Sequence, residues 1–161
     1  MRLVLAAALM LAAAPAAAHE VKKGEITVEH PLMRASLGRS PNSAGYFVVR
    51  NSGKGADRLL GASCACAARV EMHAHTMSDG VASMRPVASV VAPAGGSAVF
   101  APQGHHLMIV GLKKPLEAGT MANVTLRFER AGAVTVPFFV TARVEEELNA
   151  HRKDGHAQHA H

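Results

Sequence analysis

Arg69-Val70-Glu71-Met72-His73-Ala74-His75-Thr76-Met77-Ser78-Asp79-Gly80-Val81-Ala82-Ser83-Met84-Arg85 lies near the middle of the 161-residue chain. The Ser78-Asp79-Gly80 step between two alternating runs is a hairpin signal, because Asp-Gly supplies the positive φ that a tight turn requires. With Asp79-Gly80 as a two-residue loop, Ser78 pairs with Val81, Met77 faces Ala82 and His75 faces Met84, while His73 sits diagonally from Met84. Side chains two apart on a strand share a face. His73, His75, Met77 and Met84 then project the same way, with directly opposed pairs about 5 Å apart at Cβ. A loop of another length inverts this parity, so the face assignment depends on the register. Met72 has the opposite parity and reads as core, and Met33 and Met121 likewise read as packing.

The same grammar continues on either side. Short β-branched runs broken by Gly, Pro, Asn and Asp predict strands over 26–29 (continued over 31–35 after a break), 44–50, 59–63, 69–77 and 81–85. Further strands are predicted over 87–91, 97–101, 107–111, 121–129 and 133–140, with Gly132 at the last turn. No segment before residue 140 keeps a helical period with start and stop signals. This spacing gives an all-β domain, a sandwich or small Greek-key barrel, over 19–141. Residues 142–150, with Glu145-Glu146-Glu147, fit one helical turn or two, or a solvated linker. The segment 142–161 as a whole is expected to be a flexible, disordered His-rich tail, with too little apolar area to order itself beyond His151.

Residues 1–18 have the form of a cleavable secretory signal peptide: Arg2, an apolar stretch from Leu3 to Ala14, and Ala16-Ala17-Ala18 at the cleavage site. The mature protein is expected in the periplasm, without stable membrane insertion, since no later window approaches the roughly 18 apolar residues of a spanning helix. Cleavage after Ala18 leaves His19 first, which pairs a free amine with an imidazole. The net charge of +5 is scattered, aromatic content is 4% and Trp is absent. Neither a nucleic-acid stripe nor a base-stacking platform is present.

The unusual chemistry is concentrated. Four of the six histidines before the tail lie between Glu71 and Met108, as do four of the six methionines after the leader. His106 and Met108 obey the same strand alternation as His73 and His75, and Gly104 loosens the backbone before them. Imidazole gathered with thioether points to a soft ion, because thioether suits monovalent copper and serves zinc, magnesium or calcium poorly. A single Met on a strand is usually packing, but packing does not explain why histidine accompanies methionine at both ends of the stretch.

At this point the sequence resembles the periplasmic copper chaperones of the PCu(A)C family. The family pattern is His, ten residues, Met, twenty-one residues, His-x-Met, and His73, Met84 and His106-Leu107-Met108 fit it without a gap. The similarity covers roughly residues 25–140 and includes Ala44-Gly45-Tyr46-Phe47, Val70-Glu71-Met72-His73, Met84-Arg85-Pro86-Val87 and Leu126-Arg127-Phe128-Glu129. Where family members often carry an aromatic residue after the proline near the first strand, this chain has Leu32.

The resemblance implies a cupredoxin-like or immunoglobulin-like β-sandwich that is not an enzyme. It implies Cu(I) held at a shallow surface site by His73, Met84, His106 and Met108. The implied partners are apo copper proteins, notably the dinuclear copper centre of cytochrome c oxidase subunit II, with other copper chaperones or thiol reductants as further candidates. On that basis Met84→Ala and His106→Ala are each expected to weaken Cu(I) binding and leave the fold intact. A periplasmic sequestration or resistance protein would use the same ligands. A copper enzyme built on His19 and a plain adhesion domain rank well behind.

His75 and Met77 are read as auxiliary ligands or an entry path. Cys64-Ala65-Cys66 has three readings, a disulfide, free thiols or a second soft-metal site, and export favours oxidation. In the tail, His151, His156, His159 and His161 suit Cu(II), with a merely solubilising role as the equal alternative.

Overall fold

The structure is a computed structural model that describes residues 20–78 and 80–157, the last seven by backbone alone. The proposed leader, His19, His159 and His161 lie outside the described residues, and nothing is described of the side chains of His151 and His156. The strands are β1 (Val21–Lys23), β2 (Ile26–Arg34), β3 (Asn42–Asn51), β4 (Asp57–Cys64), β5 (Ala67–Ser78) and β6 (Val81–Pro86). They are followed by β7 (Val90–Ala92), β8 (Ser97–Phe100), β9 (His105–Leu112), β10 (Met121–Phe128) and β11 (Ala133–Thr141), and then helix α1 (Val144–Ala157).

Eight of these strands close a barrel in the order β5-β9-β8-β3-β2-β11-β10-β4, with Ala62 on β4 pairing Val70 on β5 to complete the ring. Strand β6 extends the sheet beyond β5, β7 lies outside β4, and β1 pairs with β2. Pairing is mostly antiparallel, but β2 and β11 run parallel from Phe139↔Leu32 to Thr141↔Arg34. The break expected near Pro31 is present: the β2–β3 register shifts between Glu29 and Leu32, where His30 adopts φ 51°.

Alternation explains what fills the barrel. On β3, Gly45, Phe47 and Val49 face inward, and on β9 Leu107 and Ile109 do so. Phe47 stacks on Phe100 at 4.2 Å and meets Phe138 edge-on at 5.6 Å. Each such fully buried side chain contributes about 1.5–3 kcal/mol of hydrophobic stabilisation. Gly45 is required here by close approach, since a Cβ would come within 3.3 Å of the Phe138 ring and 3.5 Å of Leu107. Met72 is a core residue, as its parity predicted, and Met33 is packed in the core as expected. Met121 is not: it opens β10 on the outer face and is 44% exposed, because the next inward position is Ala122.

One irregularity positions the site. Strands β8 and β9 lie end to end along β3, with Phe47↔Phe100 and Gly45↔Leu107 as successive contacts. The loop between Ala101 and Gly104 therefore leaves the sheet beside Tyr46, and β9 restarts with His105 and His106 at that split. Helix α1 occupies part of the segment set apart as a flexible tail and runs past the one or two turns its first residues suggested. Its start is anchored: Val144 is fully buried and Glu145 accepts a hydrogen bond from Arg34 Nη2 at 2.6 Å. Among the described residues no helix is long and apolar enough to cross a membrane.

Candidate metal centre

The β5–β6 hairpin has the two-residue register read from Asp79-Gly80. Ser78 pairs with Val81, Met77 with Ala82 and His75 with Met84, and Gly80 takes φ 78°. On its other side β5 pairs with β9, placing His73 opposite His106, Glu71 opposite Met108 and Met72 opposite Leu107. Direct cross-strand partners share a face. Glu71, His73, His75, His106 and Met108 thus stand on the outer face of the barrel, and Met84 joins them from β6.

The rings of His73 and His106 have centroids 5.7 Å apart and planes inclined at 55°. His73 Nε2 lies 2.9 Å from Glu71 Oε2, and the other carboxylate oxygen of Glu71 accepts from Arg69 Nε at 2.6 Å. The hydrogen bonds from Arg69 and then His73 hold the Glu71 carboxyl below its ordinary pKa. An ionised carboxylate only accepts, so Nε2 of His73 carries the proton and Nδ1 keeps a free lone pair. His106 Nδ1 lies 3.3 Å from the Gly104 carbonyl, which also only accepts, so Nδ1 of His106 carries the proton and donates while Nε2 keeps the free lone pair. Outer partners of this kind fix the tautomer and orientation of a ligating histidine. From sequence Gly104 was read only as loosening the backbone and Glu71 was assigned no role; the signal for Glu71 was its place two residues before His73 on the same face.

The four expected ligands are not equally exposed. Met84 is 61% exposed, the His73 side chain 15%, and His106 only 5%. The expected shallow surface site thus has one sheltered and one open side: the Tyr46 ring centroid lies 6.5 Å from that of buried His106, while the hairpin presents Met84. Burial pushes the His106 imidazole below its ordinary pKa, and His73, His75 and His105 add to the shift, against the Gly104 hydrogen bond. A neutral imidazole is the form that binds metal. Among the described residues no three His, Cys, Asp or Glu side chains converge as a metal site. Two imidazoles with thioether on the same face are a donor set that suits a soft ion.

Other candidates fall elsewhere. His105 pairs with Ala74, faces away from His106 and lies against Phe100 at 5.9 Å. Cys64 and Cys66 form a disulfide across the β4–β5 turn. Cys66 precedes His73 by seven residues along β5, on the order of 20 Å, so these sulfurs do not join the His–Met group.

The chain is similar to several known proteins. A family described as "Putative lipoprotein LpqE-like" matches residues 26–140. "Putative lipoprotein Lxx21020" of Leifsonia xyli subsp. xyli (strain CTCB07) is 38% identical over 87 residues, covering 53% of this chain and 52% of that protein. The chain thus spans about half the length of the curated relative it matches. Among solved structures, the copper-bound PCuAC domain from PmoF2 is 32% identical with TM-score 0.67, covering 77% of this chain and 98% of that one. The solution structure of Cu(I)-DR1885 from Deinococcus radiodurans is 26% identical with TM-score 0.61, covering 80% and 85%.

Proposed function

The chain belongs to the LpqE-like family, which is the PCuAC family, and on that premise we propose that it is a Cu(I) chaperone of the cell envelope. His73, Met84, His106 and Met108 are its ligands. The observation that carries the reading is the direct opposition of His73 and His106, with thioethers flanking them on the same face. All four ligands are uncharged, so Cu(I) is held without a second buried charge. The two imidazoles sit on the closed barrel and are oriented by Glu71 and Gly104, while Met84 stands on the exposed hairpin. An incoming thiolate or imidazole displaces the exposed thioether first, and the ion leaves by successive exchange without change of oxidation state.

The acceptor we favour is the dinuclear copper centre of cytochrome c oxidase subunit II, reached in the periplasm after removal of residues 1–18. Other copper chaperones and thiol reductants are further partners, and His151, His156, His159 and His161 are candidate Cu(II) ligands in the tail. The reading includes no catalytic step. Mixing Cu(I)-loaded protein with the apo copper domain of oxidase subunit II and following metal in the separated proteins tests it. Transfer of copper supports the chaperone. Retention by a protein that binds Cu(I) tightly favours sequestration instead, and absence of Cu(I) binding removes both.

A further inference from the structure

The hairpin carries more donors than the four-ligand site uses. Pairing of β5 with β9 ends at Ala74↔His105, yet β5 continues to Ser78 with only β6 beside it. Past Ala74 the sheet is a two-stranded ribbon, held at its root where His75 N donates to Gly104 O at 3.2 Å. A lone hairpin is the least rigid form of sheet. On its outer face His75 stands directly opposite Met84, whereas His73 stands opposite Pro86. Met84 is thus closer in register to His75 than to the ligand with which the four-residue pattern groups it.

Met77, two residues along on the same face, is 66% exposed and packs no core. Exposed methionines on a ribbon could equally form a greasy docking patch, and Val81 at the tip is exposed too. The imidazole between them decides against that reading. His75 Nδ1 is buried and has no hydrogen-bond partner among the described residues, so the protein does not fix its tautomer as it does for His73 and His106. A ring left free in this way, flanked by two accessible thioethers, suits a ligand that binds briefly and lets go.

We infer that His75, Met77 and Met84 form an outer Cu(I) position, from which the ion passes inward by exchange on Met84. The inference rests on the copper reading given above. Met84 is the shared ligand: it lies opposite His75 and diagonal to His73, so one thioether can serve either set. The transfer exchanges His75 and Met77 for His73, His106 and Met108. Every ligand is neutral, and neither a proton nor an electron moves.

The test is a Cu(I) titration of protein labelled with ¹³C in the methionine methyls. In the unaltered protein, one equivalent should move the Met84 and Met108 signals. In His73→Ala/Met108→Leu, which lacks half of the inner set, Cu(I) should still bind, more weakly, and move Met77 and Met84 together. Adding His75→Ala should abolish the Met77 response. Met108→Leu alone replaces a half-buried side chain by one of similar size, and it repeats the measurement should the double variant unfold. A Met77 signal that stays fixed in the inner-site variants overturns the outer position and leaves the four-ligand reading standing. Fixed Met84 and Met108 signals in the unaltered protein overturn that reading itself.

Discussion

His73 and His106 face each other across β5 and β9 with ring centroids 5.7 Å apart, and each has one nitrogen bound to a different acceptor, Glu71 and the Gly104 carbonyl. The two rings consequently present unlike nitrogens, Nδ1 from His73 and Nε2 from His106. A hairpin pattern alone places two imidazoles on one face. The acceptors behind them determine which lone pairs are available.

Glu71→Ala is expected to weaken Cu(I) binding by roughly 10- to 100-fold, the usual effect of removing a hydrogen-bond partner behind a ligating histidine. Glu71→Gln keeps an acceptor oxygen and should lose less. Competition with a Cu(I) chelator gives the affinities, and ¹⁵N shifts of the metal-free protein give the tautomer. The proton should sit on Nε2 of His73 and move only in Glu71→Ala. Unaltered affinity together with an unaltered tautomer in that variant refutes the role.

Truncating the two ends of the site should have different costs. Met84 is mostly exposed, so Met84→Ala should change stability by less than about 0.5 kcal/mol while lowering Cu(I) affinity. His106 is buried between Tyr46 and His73. His106→Ala should therefore lower affinity and also destabilise the metal-free fold by about 1–3 kcal/mol. Urea melts of both variants without copper separate the two cases. Equal stability of the two would mean that His106 is not held as described.

How far the sequence announced this arrangement can be traced residue by residue. The hairpin register followed from Asp79-Gly80 because the turn type and the two-residue alternation constrain each other, and His75↔Met84 came with it. Nearly every strand was legible for the same reason. The short β1 was not, since Val21-Lys22-Lys23 is ordered by pairing with β2 rather than by its own pattern. Burial of His106 was hidden because it arises from Tyr46, sixty positions away, meeting it at the split between β8 and β9. Helix α1 was seen only in part. Its anchor is the tertiary pair Arg34–Glu145, which no local period reveals.

Asp57 ties the start of β4 to the β10–β11 turn through backbone N–H groups of Arg130 and Ala131. Burial alone would raise its carboxyl pKa, but backbone N–H groups of Arg130, Ala131 and Arg58 donate to it and bring it below its ordinary value. A carboxylate whose folded pKa is depressed stabilises the protein above its unfolded pKa, and that contribution fades as pH falls through the carboxylate range toward the folded value. Asp57→Asn should cost about 1–3 kcal/mol at neutral pH and show a shallower loss of stability on acidification. Cu(I) affinity should not change, because none of its hydrogen-bond partners is a proposed ligand. Denaturant melts between neutral and acidic pH check this, and parallel acid curves for the two proteins would contradict it.

The Cys64–Cys66 pair provides a final separation of roles. Both sulfurs are tied in the disulfide across the β4–β5 turn, and β5 runs seven residues from Cys66 before it reaches His73. Closing so short a loop restricts the unfolded chain little, so Cys64→Ser/Cys66→Ser should cost only about 1–2 kcal/mol. If the sulfurs take no part in holding the ion, the double variant and the oxidised native protein should bind Cu(I) with the same affinity and the same number of equivalents. Thiol titration of the native protein should find no reactive thiol until a dithiol reductant is added. Loss of a Cu(I) equivalent in the double-serine variant would place a cysteine among the ligands and require the hairpin, β9 and the β4–β5 turn to approach one another.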